Sequence, residues 1–194
     1  MAEPLARPRV TPEEYLAFER AAPERHELID GEIVAMSGGT REHSLLGVNL
    51  IIELGTALRN STCEVHGADF RVKVEASDCY TYPDVTVVCA RPELEDEHGD
   101  TLLNPTALFE VLSDSTERYD RGEKFAQYRT IPTLTDYVLV SQKAIAIEHY
   151  HRQPQGGWLL RTYGPGQSFR LEALGCELTV DEVYRRVLVS ELGR

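Results

Sequence analysis

The chain has 194 residues, with 32 acidic and 20 basic side chains and a formal net charge of −12. That length suits one domain with a sizeable core, while the acidic balance excludes a broad basic footprint for nucleic acid but leaves room for a local site whose bound cation carries the positive charge. No apolar run reaches the ~18 residues a membrane span needs, the N-terminus lacks a signal-peptide core, and Cys63, Cys79, Cys89 and Cys176 show no CxxC spacing, so the reading is a cytoplasmic protein with reduced thiols.

Residues 1–10 carry Pro and Arg and read as loose. Thr11-Pro12-Glu13-Glu14 opens a helix: Thr11 caps, Pro12 fits the first helical position and Glu14 completes a capping box. Pro23 closes it. His26–Ile29 and Glu32–Met36 flank Asp30-Gly31, a two-residue hairpin signal. Glu27 lies inside the first of these strands. Thr40 caps a long helix over about 41–59, with Leu46, Leu50, Leu54 and Leu58 in a stripe at four-residue spacing. His43 falls on that stripe in the first turn, where the helix dipole favours its neutral form. It is placed to orient a water, to bind a phosphate oxygen, or only to cap the core.

Strands are expected over 64–66 and 70–75, around Gly67-Ala68-Asp69. In the second, apolar residues alternate with Arg71 and Lys73, which would point away from the buried face. Residues 76–81 read as a polar link, and the acidic stretch 91–104 as a solvated loop. Between and after them lie two apolar strands that each carry a carboxylate, Tyr82–Cys89 with Asp84 and Ala107–Leu112 with Glu110. Alternation puts Asp84 with Thr86 and Val88, and Glu110 with Leu108 and Leu112. A charge among apolar neighbours needs a metal, a cation or a raised pKa. Two such groups on strands able to lie side by side suggest a hard divalent cation site.

A helix over about 120–130 follows, capped by Asp120, with Lys124 and Tyr128 on the same face at four-residue spacing. Asp120 and Lys124 at this spacing also suit an ordinary exposed ion pair. Lys124, one turn into a helix that follows the Glu110 strand, is within reach of Glu110. Strands follow at 137–140 and 144–151. His149 and His151 alternate with Ile145 and Ile147; two histidines so spaced can bind a metal, but a half-exposed strand face is the commoner reason. Trp158–Tyr163 and Ser168–Leu171 read as further strands, and Thr179-Val180-Asp181-Glu182 opens a last helix with a second capping box.

The ordered set His26-Glu27-Leu28-Ile29-Asp30-Gly31-Glu32, His43, Pro83-Asp84-Val85, Pro105 through Glu110-Val111-Leu112-Ser113, then Asp120, Lys124 and Tyr128 resembles the PD-(D/E)XK, or restriction-endonuclease-like, superfamily. Within it, the set is similar to a large bacterial family of uncharacterised endonucleases. The resemblance spans about residues 11–150. It implies an α/β (α+β-like) fold with a central mixed sheet flanked by helices, an extra N-terminal helix and hairpin, and one domain over 1–194 with C-terminal strands and a helix in 151–194. One departure stands out: the lysine expected two residues after the acidic residue is Leu112, so Lys124 takes that role.

The resemblance implies Mg²⁺ or Mn²⁺, held by Asp84 and Glu110, for hydrolysis of DNA. Glu27 would be a further acidic ligand, Lys124 would orient or help deprotonate the attacking water, and His43, Asp120 and Tyr128 would assist. A homodimer is expected, since cutting a duplex often uses two copies. The rival readings are a non-catalytic dimeric binding module on the same scaffold, and a metal-dependent hydrolase of another substrate.

Overall fold

The computed structural model describes residues 9–36 and 38–189, so most of the segment expected to be loose, residues 1–8, lies outside the described residues. Helix α1, Pro12–Ala21, begins as its sequence directs: Thr11 Oγ1 accepts from Glu14 N–H and the Glu14 carboxylate accepts from Thr11 N–H, at 3.2 and 2.9 Å. Strands β1, His26–Ile29, and β2, Glu32–Ala35, form the hairpin. Asp30 and Gly31 both take positive φ, 51° and 78°, as a tight turn between twisted strands requires. Helix α2, Arg41–Ala57, is capped by Thr40 and buries Leu46, Leu50 and Leu54 completely.

In chain order the next elements are β3 (Glu64–Gly67), β4 (Arg71–Val74), β5 (Cys79–Thr81), β6 (Val85–Val88), β7 (Thr101–Leu102) and β8 (Ala107–Leu112). A helical crossover follows: α3 (Glu117–Tyr119), a π-helical turn over Asp120–Lys124, and α4 (Phe125–Tyr128). Then come β9 (Asp136–Ser141), β10 (Ile147–Arg152), β11 (Trp158–Tyr163), β12 (Ser168–Leu171), β13 (Cys176–Thr179) and the single turn α5 (Val180–Val183).

Six strands build the central mixed sheet in the order β11-β10-β9-β8-β6-β3, with β8 and β9 parallel across the helical crossover and the other pairs antiparallel. Strict alternation along β8 and β9 divides the core. Ala107, Phe109, Val111, Val138 and Val140 face α2 and α5; Leu108, Leu112, Tyr137 and Leu139 face the crossover and a second sheet. The central mixed sheet with flanking helices is the expected architecture.

The expected extra hairpin is present and forms the edge of a second, five-stranded sheet ordered β2-β1-β5-β4-β7. Several local expectations need correcting. Residues 79–81, expected in a polar link, form a fully buried strand of that sheet. Strands β3 and β4 flank the expected turn but belong to different sheets. Arg71 does not face solvent: it is 2% exposed, donating to Thr101 Oγ1 and the Tyr82 hydroxyl and paired with Asp100 at 2.9 Å. Lys73 is largely covered and pairs with Glu95 at 2.7 Å. The acidic stretch is therefore not merely solvated. Asp96 and Asp100 clamp Arg20, and β7 lies within the stretch.

Asp120 caps no helix, because the helical segment starts three residues earlier. Thr179 makes no side-chain cap; Glu182 pairs with Arg185 instead. His149 is 3% exposed rather than half-exposed. The cysteines are not all reduced. The β3–β6 register pairs Glu64 with Val88, which sets Cys63 opposite Cys89, and the two form a disulfide. Cys79 and Cys176 remain free and buried. Among the described residues no helix is long and apolar enough to cross a membrane.

Candidate active site

Strands β6 and β8 pair antiparallel with Val85 opposite Phe109 and Thr86 opposite Leu108. Continuing that register one step sets Asp84, in the bend before β6, opposite Glu110. The backbone fixes Asp84: its Oδ2 accepts from Val111 N–H at 2.7 Å. Glu110 emerges on the face of Leu108 and Leu112 and is 5% exposed. Its Oε1 accepts from Lys124 Nζ at 2.8 Å and from the Tyr128 hydroxyl at 3.0 Å. Tyr128 Oη also lies 2.8 Å from Thr81 Oγ1, so the second sheet braces the same carboxylate.

Lys124 is 6% exposed and has three carboxylates around it: Glu110, Glu27 Oε1 at 3.6 Å and Asp120 Oδ1 at 3.7 Å. The Asp120–Lys124 pair is thus buried, not an exposed surface pair. Glu27 points inward from β1, held by Tyr82 N–H at 3.1 Å. His43 reaches in from the first turn of α2, with Nε2 3.4 Å from Asp84 Oδ2. The π turn carries Asp120 and Lys124; such turns are often found at functional sites. Glu27, His43, Asp84, Glu110, Asp120 and Lys124 all line one cleft of about 380 Å³. The structure therefore brings every expected site residue to one place, from β1, α2, the β6 approach, β8 and the crossover.

The electrostatics follow from burial. Burial pushes Glu110 well above the usual carboxylate range; Lys124 opposes this, and Asp120 and Asp84 add to it. Burial also raises Asp120. Burial alone would lower Lys124, but Glu110, Glu27 and Asp120 outweigh it and hold the ammonium charged. The hydrogen bond to Asp84 raises His43, against its burial. The neutral form expected from the helix dipole is therefore disfavoured by a carboxylate the sequence did not place beside it.

Four carboxylates face one ammonium and one imidazole, an excess of negative charge that a hard divalent cation would offset. Apart from the His43 imidazole, the donors facing the cleft are oxygens, with Asp84 and Glu110 at opposed positions. This suits a cation bound through one or two carboxylates that keeps waters for substrate to displace, rather than a closed cage of protein ligands.

Sequence reasoning missed Tyr119. Its Oη is buried in the same cleft with no hydrogen-bond partner among the described residues, and burial raises the phenol. Nothing in the sequence marks it, because its direction depends on the crossover helix starting before the π turn. The Val111 N–H that anchors Asp84 is likewise invisible without the strand register.

The chain matches a protein-family profile, Uma2, described as "Putative restriction endonuclease", over residues 12–181. It is 38% identical over 178 residues to the uncharacterized protein slr1290 of Synechocystis sp., covering 92% of this chain and 93% of the relative. It is 36% identical over 151 residues to the uncharacterized protein sll1609 of the same organism, covering 78% of this chain and 85% of that protein. Among solved structures, it resembles a "putative nuclease belonging to DUF820" from Anabaena variabilis. The TM-score is 0.75 at 16% identity, over 92% of this chain and 99% of the other. At that identity the likeness speaks for the fold alone.

Proposed function

The chain belongs to the Uma2 family of restriction-endonuclease-like proteins, and on that premise we propose that it is a metal-dependent endonuclease hydrolysing phosphodiester bonds in DNA. Asp84 and Glu110 would hold Mg²⁺ or Mn²⁺, with Glu27 as a further acidic group. The observation that carries this reading is the buried Lys124 ammonium 2.8 Å from Glu110, opposite Asp84, in a cleft with surplus negative charge. A bound Mg²⁺ supplies positive charge against phosphate oxygens and acidifies a water.

The remaining roles follow from this chain's own groups. Glu110, Glu27 and Asp120 hold Lys124 protonated, which favours orienting the water over helping to deprotonate it, and the same ammonium would offset charge at phosphorus. The water's proton then passes to a carboxylate. Asp120, raised by burial and 3.7 Å from the same ammonium, is suited to accept it. A P–O bond forms to the water oxygen, the bond to the leaving oxygen breaks, and that oxygen departs with the electron pair. His43 steadies Asp84, and Tyr128 steadies Glu110. With a net charge of −12, long-range attraction to DNA is absent, so substrate capture depends on the cation. Cutting both strands of a duplex calls for two centres, so a homodimer belongs to the same proposal.

The test is Mg²⁺- or Mn²⁺-dependent cleavage of plasmid DNA by the wild type, Asp84→Asn and Glu110→Gln, with sedimentation to read the oligomer. Cleavage by the wild type alone supports the reading. Equal cleavage by all three, or none by a wild type that also fails to bind Mn²⁺, removes it; the latter would favour the non-catalytic binding module.

A further inference from the structure

On the opposite face of the central sheet, away from the candidate active site, Asp136, His149 and His151 come together. Among the described residues this is the one trio of His, Cys, Asp or Glu donors whose ligand atoms all lie within 4.8 Å of one another. Both imidazoles address a single oxygen: His149 Nε2 is 2.7 Å and His151 Nδ1 2.8 Å from Asp136 Oδ1. The backbone sets this arrangement. His149 and His151 sit two apart on β10, hence on one face, and the β9–β10 register puts His151 directly opposite Asp136. Asp136 pairs with Ala107 of β8, while Glu110 pairs with Leu139. The two clusters are therefore displaced along the strands as well as separated by the sheet.

The trio has the features of a ligand set. Asp136 is fully buried, and among the described residues its ion-pair partners are only these two histidines, with no Lys or Arg. A buried carboxylate without a permanent cation favours acquiring one. Its second oxygen is oriented by the Thr135 hydroxyl at 2.7 Å, the kind of outer hydrogen bond that fixes a ligating carboxylate. The His151 side chain is 28% exposed, which gives an entry path and leaves room for a water. Two imidazole nitrogens and one carboxylate oxygen suit borderline transition-metal dications better than Mg²⁺ or Ca²⁺.

We propose that Asp136, His149 and His151 form a binding site for a transition-metal dication of the Zn²⁺ class, distinct from the Asp84–Glu110 centre and selective for a different kind of ion. The metal takes the ring nitrogens that now face Asp136, and each ring keeps its proton on the other nitrogen. Bound there, it staples β9 to β10 and stabilises the strand that lies beside β8.

The experiment uses the full chain stripped with chelator, in the wild type and in an Asp84→Asn/Glu110→Gln background, titrated with Co²⁺ alone and then Zn²⁺ alone. Expected are one equivalent of Co²⁺ with visible d–d absorption in the background lacking the other centre, displacement by Zn²⁺ but not by excess Mg²⁺, and the same band in the wild type. Zn²⁺ at about 100-fold excess over its Kd should raise Tm by roughly 5–10 °C. His151→Ala, at a partly exposed position, should abolish both effects. Side-chain ¹⁵N correlation spectra of the wild type should show the His149 and His151 nitrogens shifting with Zn²⁺, a readout that needs no variant. A wild type with no Co²⁺ band and no Zn²⁺-dependent Tm shift overturns the proposal. So does binding that His151→Ala leaves intact, or shifts confined to other histidines.

Discussion

Replacing Lys124 by methionine tests the electrostatic logic of the cleft without reference to catalysis. At an effective dielectric of about 20, the attraction of the ammonium to Glu110 at 2.8 Å is about 6 kcal/mol, and to Glu27 at 3.6 Å and Asp120 at 3.7 Å about 4–5 kcal/mol each. Desolvation of four charged groups offsets most of that gross attraction. What the variant loses is compensation for carboxylates that stay buried, and removing one partner of a buried pair typically costs about 3–5 kcal/mol. Lys124→Met should fall in that range at neutral pH in urea unfolding with chelator present. The double variant Lys124→Met/Glu110→Gln should recover part of the loss, with a coupling of about 1–3 kcal/mol. The pH dependence has a definite sign. Glu110 is raised in the folded state, and more so without Lys124, so it binds a proton more tightly folded than unfolded. Its contribution is full below the unfolded value near 4.3 and is lost as pH rises through the folded value. The deficit of Lys124→Met relative to wild type should therefore shrink as pH is lowered through the raised folded value of Glu110. A variant within about 0.5 kcal/mol of wild type, a strictly additive double, or a deficit that grows on acidification would refute the reasoning.

Three further outcomes are expected. Tyr128→Phe should lose about 1–3 kcal/mol, because the hydroxyl bonded to Glu110 Oε1 and lying 2.8 Å from Thr81 Oγ1 is fully buried; denaturant unfolding measures it. Asn49→Ala should cost a similar amount and speed amide exchange over 180–187, since Asn49 Nδ2 donates to the Val183 and Arg185 carbonyls at 2.9 Å each and ties α2 to the chain around α5. Thiol titration at pH 8 should find no fast-reacting cysteine in the native oxidised chain, because Cys63 and Cys89 are bridged and burial pushes Cys79 up to about 12 and also raises Cys176. It should find two thiols after unfolding and four after unfolding with reductant; four reactive thiols without reductant would remove the disulfide.

Local signals determine much of this protein independently of its packing. The Thr11 and Thr40 caps, the Asp30-Gly31 turn and the leucine stripe of α2 each rest on residues close in sequence, so the sequence specifies them directly, and the short apolar runs of β6 and β8 mark them as buried strands. The ordered Asp84, Glu110 and Lys124 set was legible for the same reason, as each sits at a recognisable position on its own element. Pairing between distant segments decided the rest. Which strand β4 joins, whether Arg71 is covered, that Cys63 faces Cys89 and that Tyr119 turns inward all depend on register and on which sheet lies behind which. The Asp136–His149–His151 cluster shows the division most clearly. Two histidines on one strand were visible as a pair, but their burial and their shared oxygen come from the neighbouring strand β9, and a cross-strand partner is fixed by tertiary pairing rather than by any local preference.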